Sequence, residues 1–152
     1  MERYNIDRFI KAQQQNFEIA FEEIKQGRKK SHWIWYIFPQ IKGLGFSKTA
    51  RYYSIENLEE AKQYLENKYL YKNLILICNE LLKIENKDII DIMGNIDSLK
   101  LCSSMTLFHI IDPNEKVFIE IIEKYYNNIQ DEKTISNRII CFSGFSACFL
   151  WR

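Results

Sequence analysis

Ile6, Phe9, Ile10, Gln13, Phe17, Ala20, Phe21 and Ile24 recur at steps of three and four residues. That spacing puts one apolar stripe on one side of a helix, and a strand, with its period of two, cannot gather it. Asn5 is the expected N-cap and Gly27 the stop. The same period returns downstream. Ser47 caps a short helix through Tyr53, and Asn57 and Glu60 have capping-box spacing before a helix to about Asn67. Leu70, Leu74, Ile77, Cys78, Leu81 and Leu82 mark another helix, and Asp88 to Met93 a short one stopped by Gly94. Asp97 to Ile111 reads as a further helix ending at Asp112-Pro113. Val117, Ile121, Ile122 and Tyr125 line the next, with Asn114 as its cap, and Asp131 opens a last one. The fold class expected is a compact all-α domain of seven or eight helices over residues 1–138, followed by an apolar extension over residues 139–152. Residues 33–38 stay ambiguous: either a short buried helix capped by Ser31 or a buried strand, since six residues are too few for a period to decide.

A chain of 152 residues, 47% of them hydrophobic, is long and apolar enough to bury a core of its own. Its formal net charge of +1 disfavours a surface built as a whole for nucleic acid or anionic lipid, so an electrostatic partner would have to be met by a local patch. The four cysteines (Cys78, Cys102, Cys141 and Cys148) form no CxxC pair, and with two histidines no zinc signature can be assembled. No metal site is expected, and no cofactor can be named. The charged start lacks the apolar heart of a signal peptide, and residues 139–151 fall short of the roughly 20 apolar residues a bilayer span requires. The expected compartment is the cytoplasm. The tail carries Phe142, Phe145, Phe149, Leu150 and Trp151, which should pack on the body or mediate homo-oligomerisation.

Two segments hold polar groups that a core does not need. The first runs Arg28, Lys29, Lys30, Ser31, His32, Trp33, then Trp35, Gln40, the Gly43-Leu44-Gly45 loop and Ser47. Cations, a hydroxyl and loop N–H groups suit a phosphate or another anion, and an indole face suits a flat ring. The plain alternative is a solvated turn followed by core aromatics. The second is Lys100, Ser103, Ser104 and Thr106 on an otherwise apolar helix, with Lys100 one turn from both serines. Those hydroxyls either bond back to carbonyls of the preceding turn or face a pocket with Lys100. Asp97 is the local candidate to balance the lysine. The ligand-binding set is therefore Arg28, Lys29, His32, Trp33, Trp35, Gln40, Ser47, Lys100, Ser103 and Ser104. Among these, His32, Lys100 and Ser103 are the candidates for catalysis, should there be any.

Ala12-Gln13, Gly27-Arg28-Lys29, Ser31-His32-Trp33, Trp35, Phe38-Pro39-Gln40, Gly43-Leu44-Gly45, Ser47, Glu60-Ala61, Tyr64-Leu65 and the string from Lys100 to Phe108 together resemble a bacterial family. It is the domain-of-unknown-function family 1810, whose members are often labelled "calpastatin". The resemblance spans about residues 5 to 135 and implies a compact all-α fold, without an established activity, cofactor or catalytic residue. The label does not suit the chain physically, because a calpain inhibitor of that type is a disordered polar chain whereas this one is patterned to fold. Residues 139–152 match nothing associated with the family. The function expected is binding of a small ligand that carries a phosphate or other anionic group, such as a nucleotide derivative, with or without a reaction. The alternative is a non-enzymatic interaction module that docks a protein or nucleic acid on the same basic, aromatic surface. The two differ in concavity: one cleft lined by both segments favours the ligand.

Overall fold

The computed structural model describes residues 3–140. Among them the chain forms nine helices and no strand: α1 (Asp7–Lys25), α2 (Ile34–Ile37), α3 (Lys48–Tyr52), α4 (Leu58–Glu66), α5 (Lys68–Lys83), α6 (Ile89–Met93), α7 (Asn95–Ile111), α8 (Lys116–Tyr125) and α9 (Glu132–Ile140). The ambiguous aromatic run resolves as the single turn α2, which brings the number of helices to nine. Ile34 and Ile37 on that turn are 1% exposed, so burial holds a segment too short to be helical by propensity. The expectations for residues 141–152, including their packing or association, lie outside the described residues.

The caps follow local chemistry in most places. Ser47 accepts the N–H of Ala50, Asn57 that of Glu60, and Asp88 that of Asp91 with the reciprocal bond completing a capping box. Three expectations need correction. Ile6 rather than Asn5 occupies the N-cap of α1, and no side chain caps it. Trp33 rather than Ser31 precedes α2, because the Ser31 hydroxyl is drawn to Glu23 instead. Glu115 rather than Asn114 caps α8.

α7 sits at the centre, packed by α2, α4, α6, α8 and α9, while α1 and α8 both pack on α5. Every residue from Leu101 to Phe108 on α7 is buried, which is why this helix shows no polar face in sequence. Its first turns are less covered. Ile96 and Leu99 stand 70% and 68% exposed there, whereas Ser98 between them is buried.

A polar knot ties α1 to this core. Gln13 is 2% exposed and donates through Nε2 to the Tyr36 carbonyl at 2.7 Å and to the Tyr64 hydroxyl at 2.9 Å. Its Oε1 accepts from Asn73 Nδ2 at 3.0 Å. One amide thereby joins α1, α2, α4 and α5, and a buried amide satisfied on both ends specifies one arrangement of them.

Between α2 and α3 the chain is pinned rather than loose. Ile41 pairs with Ile55 in an isolated parallel bridge, with Lys42 N–H on the Ile55 carbonyl and Ile55 N–H on the Gln40 carbonyl, both at 2.8 Å. Beyond it Gly43 adopts φ +101°, and a Cβ there would lie 2.7 Å from Asn137 Nδ2. Only glycine fits that turn. Asn137 in α9 also donates to the Lys42 carbonyl at 3.0 Å, so α9 is fastened to the glycine loop at one end and to α7 at the other.

Candidate functional site

The basic turn after α1 is organised by a residue the sequence did not single out. Glu23 is 8% exposed, and its carboxylate accepts from Lys30 N–H (2.7 Å), Ser31 N–H (2.9 Å), the Ser31 hydroxyl (2.5 Å) and the Trp33 indole N–H (2.9 Å). Burial by itself would raise this carboxyl. The Ser31 hydroxyl, the two backbone N–H groups and the indole outweigh it and bring the group down to about 2. Glu23 thus stays ionised and acts as the hub of residues 30–33. Its signal in sequence was only its place on the buried stripe of α1, one residue before Ile24.

From this turn Lys29 reaches α7. Its ammonium lies 2.8 Å from Asp97 Oδ2, donates to the Ser31 carbonyl, and sits 4.8 Å from the ring centre of Trp33. The other oxygen of Asp97 faces Lys100 at 3.7 Å, and the Lys100 ammonium stands 5.1 Å from the ring centre of Trp35. Two cations, two indoles and one carboxylate form a ladder across the two motif segments. Lys29 is spent within it. Lys100 pairs with Asp97 only at the longer distance.

Beside the ladder opens a cleft of about 400 Å³, lined by Gln40, Leu44 and Gly45 from the glycine loop, Ile96, Leu99, Lys100 and Ser103 from α7, and Asp131 and Lys133 at the start of α9. Ser103 is 5% exposed and donates to the Leu99 carbonyl and to Asp131 Oδ2, both at 3.1 Å. The single hydrogen of this hydroxyl is shared between the carbonyl of the preceding turn and the Asp131 carboxylate, and the residue lines the cleft.

Of the expected binding residues, Gln40, Lys100 and Ser103 meet in this cleft, with the Trp35 ring beside the Lys100 ammonium and Lys29 on the Asp97 carboxylate. The others lie elsewhere. Arg28 and His32 are exposed and are not part of the cleft wall. Trp33 is 1% exposed, its ring 6.2 Å from that of Phe38, and it belongs to the core. Ser47 is exposed and caps α3. Ser104 is fully buried, and its hydroxyl has no hydrogen-bond partner among the described residues. Asp131, Lys133, Ile96 and Leu99 were not foreseen in the site. Asp131 was legible only as a helix opener, and Lys133 carried no signal of its own.

Among the described residues no helix is long and apolar enough to cross a membrane, and no three His, Cys, Asp or Glu side chains are grouped to hold a metal ion. Cys78 and Cys102 are free and buried. Burial raises the Cys78 thiol well above its ordinary value and pushes Cys102 up to about 11, which disarms both as nucleophiles.

No functionally curated protein matches the chain. A crystal structure of the conserved hypothetical protein Rv1873 from Mycobacterium tuberculosis is similar to it, with 37% sequence identity and a TM-score of 0.87 over 90% of this chain and 97% of that one. The family model for a protein of unknown function, DUF1810, matches residues 3–138. With the match running from before α1 into α9, the chain belongs to the DUF1810 family.

Proposed function

We propose that the protein binds a small anionic ligand, phosphate-bearing or otherwise, in the cleft between the glycine loop, α7 and α9. The observation that carries this reading is Lys100: a lysine in the cleft wall, steadied over the Trp35 ring, whose ion pair with Asp97 is a long one at 3.7 Å. A protein seldom sets a half-buried ammonium in a concave wall without a close counter-charge, and an anion supplies it. Gln40, Leu44 and Gly45 of the first segment and Lys100 and Ser103 of the second line this one hollow, which supports a ligand over a flat docking face. Leu44, Ile96 and Leu99 would cover an apolar body. The unpaired thiols accord with a cytoplasmic setting.

Whether a reaction follows is a separate matter. The Ser103 hydroxyl is already donated to a carbonyl and a carboxylate, and His32 stands outside the cleft. Binding is the reading their positions support.

The test is a thermal-shift and NMR titration of wild type and Lys100→Met with inorganic phosphate, adenosine monophosphate and aryl carboxylates. A ligand at 100 times its Kd adds about 2.7 kcal/mol of stability to wild type. The expected result is a shift of several degrees in wild type and none in the variant. Equal responses in both would remove Lys100, and with it this reading. An interaction module is the second reading, favoured by the 70% and 68% exposure of Ile96 and Leu99 at the cleft edge. It gains if wild type answers to none of these anions.

A further inference from the structure

Asp131 is held at the cleft wall by an uneven set of bonds. Ser103 Oγ (3.1 Å), Thr134 N–H (3.0 Å) and Thr134 Oγ1 (2.5 Å) all donate to Oδ2, and the Asp131 N–H donates to Thr106 Oγ1 at 3.0 Å. Oδ1 accepts no hydrogen bond from the described residues. An ionised carboxylate is acceptor-only, so this wall offers a fixed, unused acceptor. Its position needs no rearrangement, because Thr134 is fully buried and Ser103 nearly so.

The charges around it narrow the anion. Lys100 and Lys133 line the cleft with one carboxylate, Asp131, between them in the lining, while Asp97 is taken at short range by Lys29. The surplus is a single positive charge. A monoanion balances that surplus, whereas a dianion would leave one negative charge over.

We infer that the cleft recognises a monoanion, a carboxylate or phosphodiester, that carries a hydroxyl or ammonium donor beside the anionic group. The anion lies on Lys100, the neighbouring donor on Asp131 Oδ1, and the apolar remainder against Leu44, Ile96 and Leu99. This rests on the reading of the cleft as an anion site and adds the second group that an anion alone would leave unused.

Matched ligands test it on the unaltered protein. Wild type is titrated by NMR with 3-phenyllactate, with phenylalanine and with 3-phenylpropanoate, which keeps the ring and carboxylate but lacks the donor. At least one of the first two is expected to bind tenfold or more tightly than the third, and which one does so identifies the donor. Asp131→Asn retains an oxygen for the cap and turns an amide N–H₂ to the cleft, so it should erase or reverse that preference. Equal affinity for all three ligands in wild type, or an unchanged preference in a folded Asp131→Asn, overturns the inference and leaves the anion site standing. Binding of none of the three, nor of adenosine monophosphate, overturns both.

Discussion

Asp97 holds the Lys29 ammonium at 2.8 Å, joining the turn after α1 to the first turn of α7. The Lys29 side chain is 6% exposed and that of Asp97 20%, so the pair is shielded from water. Lys29→Met would leave Asp97 with only the 3.7 Å contact to Lys100. The expected cost is about 1–3 kcal/mol, read as a lower urea midpoint with an unchanged slope. Lys100→Met keeps the close pair, packs a similar stem on Trp35, and should cost under about 1 kcal/mol. The two lysines separate into one that holds the fold and one that faces the cleft.

Glu23 should make stability depend on acid. Its carboxyl lies at about 2 when folded, against 4.5 ordinarily. A depressed folded value contributes stability that is fully present above pH 4.5 and is lost as the pH falls toward 2. Its size is about 3 kcal/mol. Glu23→Gln should lose that much at pH 7, and its difference from wild type should shrink steadily between pH 4.5 and 2. Urea melts of both proteins across that window check it.

Gln13→Leu should be among the most harmful substitutions in the domain. Leucine fills the space but strands the Tyr36 carbonyl and the Asn73 amide, both of which now bond to Gln13. Each unsatisfied buried group costs about 1–3 kcal/mol, and a combined loss of about 2–4 kcal/mol is expected in chemical unfolding.

Ser103→Ala removes the bond between α7 and Asp131 but leaves Thr134 on the same oxygen. About 1 kcal/mol of stability should go. Because the hydroxyl lies against a carboxylate and a carbonyl rather than a free base, a serine-directed fluorophosphonate should label wild type no more than the alanine variant. Mass spectrometry of the intact protein would read this directly.

Periodicity sufficed for α1 and α5 because each buries a stripe, and burial is what the spacing of Phe9, Ala20 and Ile24 or of Leu70, Leu74 and Ile77 records. Caps that rest on one local side-chain bond, such as Ser47 and Asn57, were legible because that bond lies within four residues. Caps lost to a distant competitor were not. Ser31 reads as an N-cap until Glu23 in α1 claims its hydroxyl, and Trp33 reads as a stacking surface until the same carboxylate takes its indole N–H into the core.

The sequence by itself determined an all-helical body and pointed to both polar segments, since residue type and spacing are local properties. Only the tertiary structure decided which of their residues share a hollow. Gln40, Lys100 and Ser103 meet because the Ile41–Ile55 bridge and Asn137 hold the glycine loop against α7 and α9, while Arg28, His32 and Ser47 face other ways. Asp131 and Lys133 enter the site at the start of α9, whose own pattern gave no hint of a ligand. Which charge is left over in a cleft is set by distances of a few ångströms between segments far apart in the chain. Asp97 illustrates this, close to Lys29 and distant from Lys100, and no spacing rule along one helix contains that difference.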